Sequence, residues 1–175
     1  MSQADVATAT STGPKALPGI GQMLAEPRLL LALGFGSGLA PKAPGTFGTL
    51  AALPLAWLLQ AYLPTWGVSL VIVAAFALGV YVCDYAGRWL GVSDHGAIVW
   101  DEFVGLWIAL LWVPMSLGWW LYGFVLFRLF DIAKPWPIGW ADRRLKGGLG
   151  VMLDDVLAGL MALAVLQLTL WVWPW

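Results

Sequence analysis

Long stretches without a charged residue constrain this chain more than any other feature of its sequence. Residues 43–83, 103–127 and 156–175 contain no Asp, Glu, Lys or Arg. Charged residues make up 11% of the chain and hydrophobic residues 61%, whereas a soluble domain has about 25% charged residues. This composition is typical of a membrane protein. The net charge of −1 gives no support for nucleic-acid binding.

The apolar runs predict an all-α fold, a multi-pass membrane bundle of about five hydrophobic helices. We expect the first two spans at residues 46–63 and 66–88, and the fifth at residues 150–173. The third and fourth, at 97–113 and 117–132, are short for a hydrocarbon core of about 30 Å at about 1.5 Å per residue. This hairpin is therefore expected to be tilted or partly re-entrant.

With these five spans, every charged residue of the membrane domain falls on one side of the bilayer. Lys and Arg favour the cytoplasmic side, so we expect the charged side to be cytoplasmic. Residues 1–25 are rich in Ser, Thr, Ala and Pro, and they predict a disordered tail on that side. Residues 26–175 are expected to form one membrane-embedded domain. The sequence indicates no particular oligomeric state.

Carboxylates stand at the edges of the apolar runs in three groups. The groups are Asp101 with Glu102, Asp131 alone, and Asp154 with Asp155. Acids this close to hydrocarbon are costly and usually have a partner, of which a bound cation is the simplest. We therefore predict that these acids converge on one metal centre at a membrane surface.

A glycine follows an acid by four residues in two of these groups, Gly105 after Asp101 and Gly159 after Asp155. Residues four apart share a helix face, and small residues let membrane helices approach closely. The pattern predicts that the two helices pack together, with acids facing each other across one cation.

A glycine- and proline-rich loop precedes the first span and carries Ser37, Lys42 and Thr46. Glycine lets backbone N–H groups approach an anion, so the loop could cradle a phosphate. The alternative is a tight turn that leads into the span, and the sequence leaves both interpretations open.

A basic loop follows the fourth span. Its cations are Arg128, Lys134, Arg143, Arg144 and Lys146. Cations beside an acidic metal site are typical of phosphate binding, although such a loop could instead bind anionic lipid headgroups. His95, the single histidine, could be a metal ligand, a proton donor or a capping group.

Three segments resemble the phosphatidylglycerophosphatase A family of bacterial membrane phosphatases. They are GFGSGLAPKAPGTFGTL (34–50), DHGAIVWDEFVG (94–105) and FRLFDIAKPWPIGWADRRLKGGLGVMLDDVLAG (127–159). The resemblance implies a Mg²⁺-dependent hydrolase in the bacterial cytoplasmic (inner) membrane, with its active site on the cytoplasmic side. Its substrate would be phosphatidylglycerophosphate in the lipid bilayer, and its products phosphatidylglycerol and inorganic phosphate.

The resemblance carries over five acidic positions as the metal site. These are Asp101, Glu102, Asp131, Asp154 and Asp155. Four of them, with His95, are the expected catalytic residues: Asp101, Glu102, Asp131 and Asp155.

The predicted substrate-binding residues come from the glycine-rich and basic loops. They are Ser37, Lys42, Thr46, Arg128, Lys134, Arg143 and Arg144. We expect water to be the nucleophile, with direct attack by an aspartate as the alternative mechanism. A cation transporter that uses membrane-surface carboxylates is the alternative function.

Overall fold

The computed structural model describes residues 16–173, and this range is helical with no β-strand. A 3-10 segment lies at Gly34–Leu39. The α-helices are α1 (Ile20–Ala25), α2 (Pro27–Ala32), α3 (Pro44–Tyr62), α4 (Thr65–Leu90), α5 (Trp100–Ala109), α6 (Leu117–Ala133), α7 (Ile138–Arg144) and α8 (Gly147–Val172).

Most of the predicted N-terminal tail, residues 1–15, lies outside the described residues. Within the tail, residues 20–25 form α1, where Met23 is 4% exposed and joins the hydrophobic core. The division into a tail of residues 1–25 and one membrane domain stays a prediction.

Two of the described helices, α4 and α8, are long and apolar enough to cross a membrane. They run antiparallel, because the start of α8 meets the final turns of α4. The backbone N–H of Gly148 donates to Oδ1 of Asp84 at 3.4 Å, and a Cβ on Gly148 would strike the carbonyl oxygen of Val80. These two helices indicate that the chain associates with a membrane.

Helix α5 packs between α3, α4, α6 and α8, and all ten of its residues are buried. At about 1.5 Å per residue it is about 15 Å long, half of a bilayer core. The third predicted span, 97–113, was therefore too long. Helix α6 has 17 residues, also below the roughly 20 that a span needs. The third helix is short, as expected, while the five-span bundle and its partly re-entrant hairpin stay predictions.

Two glutamines accommodate the early end of α5. Nε2 of Gln60, from α3, donates to the carbonyl of Leu110 at 3.0 Å. Nε2 of Gln167, from α8, donates to the carbonyls of Leu111 and Trp112 at 3.4 and 3.2 Å. These carbonyls belong to the C-cap of α5 and to the turn that follows it, so the two amides bind the chain at the point where α5 ends inside the protein.

The glycine-rich loop packs on the segment that leads into α5. A Cβ on Gly38 would strike the carbonyl oxygen of Ala97, and one on Gly48 would lie 2.6 Å from Cβ of Val99. The backbone N–H of Val99 also donates to the carbonyl of Ala32 at 2.9 Å. The hydroxyl of Ser37 donates to the carbonyl of Gly34 at 2.7 Å. These contacts favour the turn interpretation of the loop.

Candidate active site

Three buried carboxylates meet where α5 and α8 cross. Asp101 and Glu102 lie in the first turn of α5, and Asp155 lies in the third turn of α8. One carboxylate oxygen from each lies within 4.8 Å of the others. The exposed fractions are 9%, 9% and 3%. We call these three residues the acid cluster.

The crossing is close because two glycines face each other there. A Cβ on Gly159 would strike the carbonyl oxygen of Gly105, and a Cβ on Gly105 would lie 2.8 Å from the carbonyl oxygen of Asp155. The two backbones are therefore in direct contact, which draws the acids of both helices together. The predicted packing of the two acid-and-glycine patterns is confirmed.

Each acid of the cluster has a buried oxygen without a hydrogen-bond partner in the part of the chain that the structure describes. These atoms are Oδ1 of Asp101, Oε2 of Glu102 and Oδ2 of Asp155. An unsatisfied buried acceptor costs about 1–3 kcal/mol, and more when it is charged. Converging carboxylate oxygens are the ligands that hard divalent cations bind. The cluster therefore fits a metal ion.

Arg128, near the end of α6, lies beside the cluster. Its Nη1 is 2.5 Å from Oδ2 of Asp131 and 3.8 Å from Oε1 of Glu102. The side chain is 15% exposed, and its buried Nε has no partner among the described residues. The carboxylate of Asp131 also lies next to that of Asp155. Asp131 thus borders the acid cluster but is held by an arginine.

Lys134, the residue that follows α6, pairs with Asp154, which is not part of the acid cluster. Its Nζ lies 2.6 Å from both Oδ2 of Asp154 and Oδ1 of Asp142. Partial burial lowers the pKa of Lys134, but the hydrogen bonds to the two carboxylates outweigh this and raise it. Lys134 is therefore a permanent cation engaged with two acids. The sequence predicts Lys134 as a substrate-binding residue and Asp154 as a metal ligand, and both roles stay predictions.

The first turn of α3 contacts the acid cluster at Gly45. The sequence did not predict Gly45 as a site residue. A Cβ on Gly45 would strike Oε1 of Glu102 and lie 3.1 Å from Nη1 of Arg128. The start of a helix carries partial positive charge and unpaired N–H groups, which favour anions. Pro44 at the first helical position followed by glycine was the available signal.

The remaining predicted residues lie at the edge of this site. Thr46 is half-buried in the first turn of α3, and Lys42 is exposed just before it. Arg143 lines a polar cavity of about 200 Å³ beside Asp154, while Arg144 is exposed. His95 accepts a hydrogen bond at Nδ1 from the N–H of Ala97 at 3.1 Å. This is the capping contact, so the catalytic role of His95 stays a prediction.

Comparison with known proteins identifies the family. The family model described as phosphatidylglycerophosphatase A matches residues 30–170. The chain belongs to the phosphatidylglycerophosphatase A family. The matched range contains every residue of the acid cluster together with Gly45, Arg128 and Lys134. The resemblance seen in the three sequence segments is thus confirmed.

Three relatives are similar over most of their length. Phosphatidylglycerophosphatase A of Escherichia coli (strain K12) is 47% identical, over 86% of this chain and 88% of the relative. Phosphatidylglycerophosphatase A of Haemophilus influenzae is 48% identical, over 81% and 88%. A putative phosphatidylinositol-3-phosphatase of Bacteroides thetaiotaomicron is 38% identical, over 82% and 94%. No solved structure matches the chain.

Proposed function

We propose that this chain is a Mg²⁺-dependent phosphomonoesterase that removes the terminal phosphate of phosphatidylglycerophosphate. The products are phosphatidylglycerol and inorganic phosphate. The family and the names of two relatives support this substrate. The observation that carries the proposal is the acid cluster, which has unpaired buried oxygens and adjoins Arg128 through Glu102.

Asp101, Glu102 and Asp155 are the residues that would hold the metal ion. Mg²⁺ would supply polarisation of the phosphoryl group and a water of lowered pKa. Five carboxylates and two cationic side chains lie in and around the cluster, with Asp131 paired to Arg128 and Asp154 to Lys134. The excess of buried negative charge therefore remains on the three residues that would bind the ion.

Arg128 is the residue best placed to stabilise the phosphoryl group during transfer. The transition state of phosphoryl transfer is loose and spreads negative charge over the equatorial oxygens. The guanidinium of Arg128 touches the cluster and has an unpaired N–H. The first turn of α3, at Gly45, adds partial positive charge on the same side. Together these groups would favour binding of a phosphate beside the acid cluster, within reach of Arg128.

Water, rather than an aspartate, is the proposed nucleophile. Direct attack needs a carboxylate with a free oxygen that faces phosphorus. Asp131 is bound to Arg128, and Asp154 is bound to Lys134. The other three acids form the cluster that would hold the metal. No acid of the described site is left over to form an acyl phosphate.

The site lies at the charged ends of the membrane helices. Asp155 is eight residues after Gly147, about 12 Å below the start of α8 at about 1.5 Å per residue. Arg88 and Arg143 lie near the same end, which supports a cytoplasmic orientation. We place the site at headgroup depth in the bacterial inner membrane, where a lipid phosphate reaches it while the acyl chains stay in the bilayer.

The test is release of phosphate from phosphatidylglycerophosphate by the purified protein in detergent. We expect Mg²⁺ to be required, a chelator to stop turnover, and Mg²⁺ to restore it. Asp101→Asn should remove turnover and weaken Mn²⁺ binding in equilibrium dialysis. Asp84→Asn, outside the cluster on an exposed ion pair with Arg88, is the control and should retain both.

A cation transporter, the alternative from the sequence, would give a different result. It would move Mg²⁺ across liposome membranes and release no phosphate. Transporters bind ions near the bilayer midplane on broken helices, whereas these acids lie toward one end of α8. Mg²⁺ flux without hydrolysis would overturn the proposal.

A further inference from the structure

An apolar groove of about 590 Å³ lies beside the active site, between α1, the 3-10 segment and the start of α3. Hydrophobic side chains form most of its walls, among them Ile20, Met23, Leu24, Phe35, Leu39 and Phe47. Its one side-chain hydroxyl, that of Ser37, donates to the carbonyl of Gly34. A molecule bound in the groove would therefore make mainly hydrocarbon contacts.

The groove lies next to α5, the helix that carries two acids of the cluster. The ring of Phe35 lies 6.3 Å from that of Trp100 and 6.2 Å from that of Phe103. Trp100 and Phe103 flank Asp101 and Glu102 in α5. On the other wall, Phe47 follows by two residues Gly45, which abuts Glu102. A molecule whose phosphate sits at the acid cluster would thus have the groove next to it.

The groove also lies near the charged end of a candidate membrane span, α4. Helix α2 is tied to the charged end of α4, where Arg28 stacks on the ring of Tyr85 at 3.8 Å. Glu26 accepts from the hydroxyl of Tyr85 at 3.1 Å, and Arg28 pairs with Glu26 at 2.7 Å. Because α4 is a candidate span, these contacts hold α1 and α2 at the level of its charged end.

The outer edges of the groove are open and apolar. Ile20, Leu24 and Phe47 are 68%, 64% and 51% exposed. The apolar surface continues along α3 through Leu50 and Trp57, which are 45% and 51% exposed. Exposed apolar surface of this extent marks contact with lipid or with another apolar partner. The apolar surface of the groove is thus continuous with that of α3.

We infer that this groove binds the first part of an acyl chain of the phosphorylated lipid, and so makes the enzyme prefer a lipid to a soluble phosphate ester. The inference rests on the proposed function, because it assigns a place to the hydrocarbon of that substrate. The acyl chain lies against Phe35 and Phe47 while the terminal phosphate lies between the acid cluster and Arg128. Each methylene removed from water there contributes to binding.

The test compares two substrates that carry the same phosphomonoester. One is long-chain phosphatidylglycerophosphate in mixed micelles, and the other is its deacylated, water-soluble head group. Ala40→Trp places a large ring in the groove. We expect it to lower kcat/KM for the lipid roughly tenfold, the equivalent of about two lost methylene contacts, and to leave kcat/KM for the soluble ester unchanged. Ala74→Trp, on an exposed position of α4, is the matched control and should change neither.

The outcomes separate this inference from the proposed function. Equal loss on both substrates, or no loss on the lipid, overturns the groove assignment while hydrolysis by the unaltered protein stands. Failure of the unaltered protein to hydrolyse either substrate overturns both. Phe47→Ala, which removes a wall without filling the groove, gives a second variant and should also lower kcat/KM for the lipid alone.

A lipid with a photoreactive group near the head of its acyl chain identifies the occupant directly. With the full-length protein in micelles, we expect labelling of peptides that contain Leu24, Phe35 or Phe47, and competition by unlabelled phosphatidylglycerophosphate. A groove filled instead by residues 1–15 or by a second copy of the chain would leave these peptides unlabelled. Labelling confined to α4 and α8 likewise contradicts the inference.

Discussion

Gly45 lies against the carboxylate of Glu102, at the first turn of α3, with no room for a side chain between them. The contact joins the start of one helix to the acid cluster on another. Any β-carbon there would displace Oε1 of Glu102 or the guanidinium of Arg128. The position therefore controls the geometry of the site without carrying a reactive group.

We predict that Gly45→Ala removes most of the activity while the protein stays folded. Alanine is favoured over glycine in a helix by about 1 kcal/mol, which offsets part of the strain of the contact. The acid cluster, in contrast, must shift. Phosphate release and Mn²⁺ affinity, measured with the melting temperature in detergent, check this.

Gly67→Ala is the matched control, because Gly67 lies in the first turn of α4. A Cβ there meets its nearest neighbour at 3.4 Å, an ordinary contact. This variant should keep both activity and metal affinity. Full activity of Gly45→Ala would show that the contact between Gly45 and Glu102 has no role in the site.

The apolar helices could be predicted from the sequence because hydropathy reports them directly. The predicted first span, 46–63, corresponds to the helix Pro44–Tyr62. The predicted second span, 66–88, corresponds to the helix Thr65–Leu90. The third helix was predicted too long because the residues after Ala109 are as apolar as those before it. Gln60 and Gln167 bind the chain just after its end, and because both are distant in sequence they leave no local signal.

The sequence predicted which acids form the site, but it did not predict which cations pair with the neighbouring acids. Asp101, Glu102 and Asp155 stand out because charge beside hydrocarbon needs a partner, and the structure brings them together. That Lys134 takes Asp154 could not be predicted, because the turn after α6 decides where Lys134 points. Lys134 has a φ of 43° there. The neighbouring residues in the sequence do not predict this left-handed conformation.

Lys134→Met should destabilise the protein because it leaves Asp142 and Asp154 without their shared cation. Breaking a fully buried pair costs about 3–5 kcal/mol. The side chain of Lys134 is 31% exposed, so we expect a smaller loss, about 1–2 kcal/mol. Denaturant unfolding in detergent measures it.

Addition of Asp154→Asn to Lys134→Met distinguishes the pairing from a general packing effect. With the charge of Asp154 removed, less unpaired charge remains, and part of the lost stability should return. A double variant that is as unstable as the sum of the two single variants would contradict a direct interaction between Lys134 and Asp154.

The ion pair of Glu26 and Arg28 predicts a pH-dependent contribution to stability. The hydrogen bonds from Arg28 lower the pKa of Glu26 from 4.5 to about 2. A carboxyl whose pKa is lower in the folded state stabilises the protein above the unfolded pKa, and this contribution is lost as pH falls through the folded pKa. Glu26→Gln should therefore be less stable than the unaltered protein at pH 7. The difference should shrink between pH 4.5 and pH 2.

Thermal unfolding of both proteins across this pH range provides the measurement for Glu26. A difference that stays constant from pH 7 to pH 2 would mean that Glu26 acts through packing and not through its charge. Activity at pH 7 should change little, because Glu26 pairs with Arg28 and Tyr85 and not with the acid cluster.

Gln60 and Gln167 together should determine whether α5 can end inside the protein. Gln60→Leu leaves the carbonyl of Leu110 without its side-chain donor, and Gln167→Leu does the same for Leu111 and Trp112. The carbonyl of Leu110 still accepts from the N–H of Val113, and the contact with Trp112 is exposed, so each variant loses hydrogen bonds worth about 0.5–1.5 kcal/mol. We expect each single variant to lose stability in that range and the double variant to lose more. Thr169→Val is the control, because its hydroxyl donates back to Val165 in its own helix, and it should unfold close to the unaltered protein. If the double variant keeps its melting temperature, these amides do not hold the end of α5, and its carbonyls find other partners.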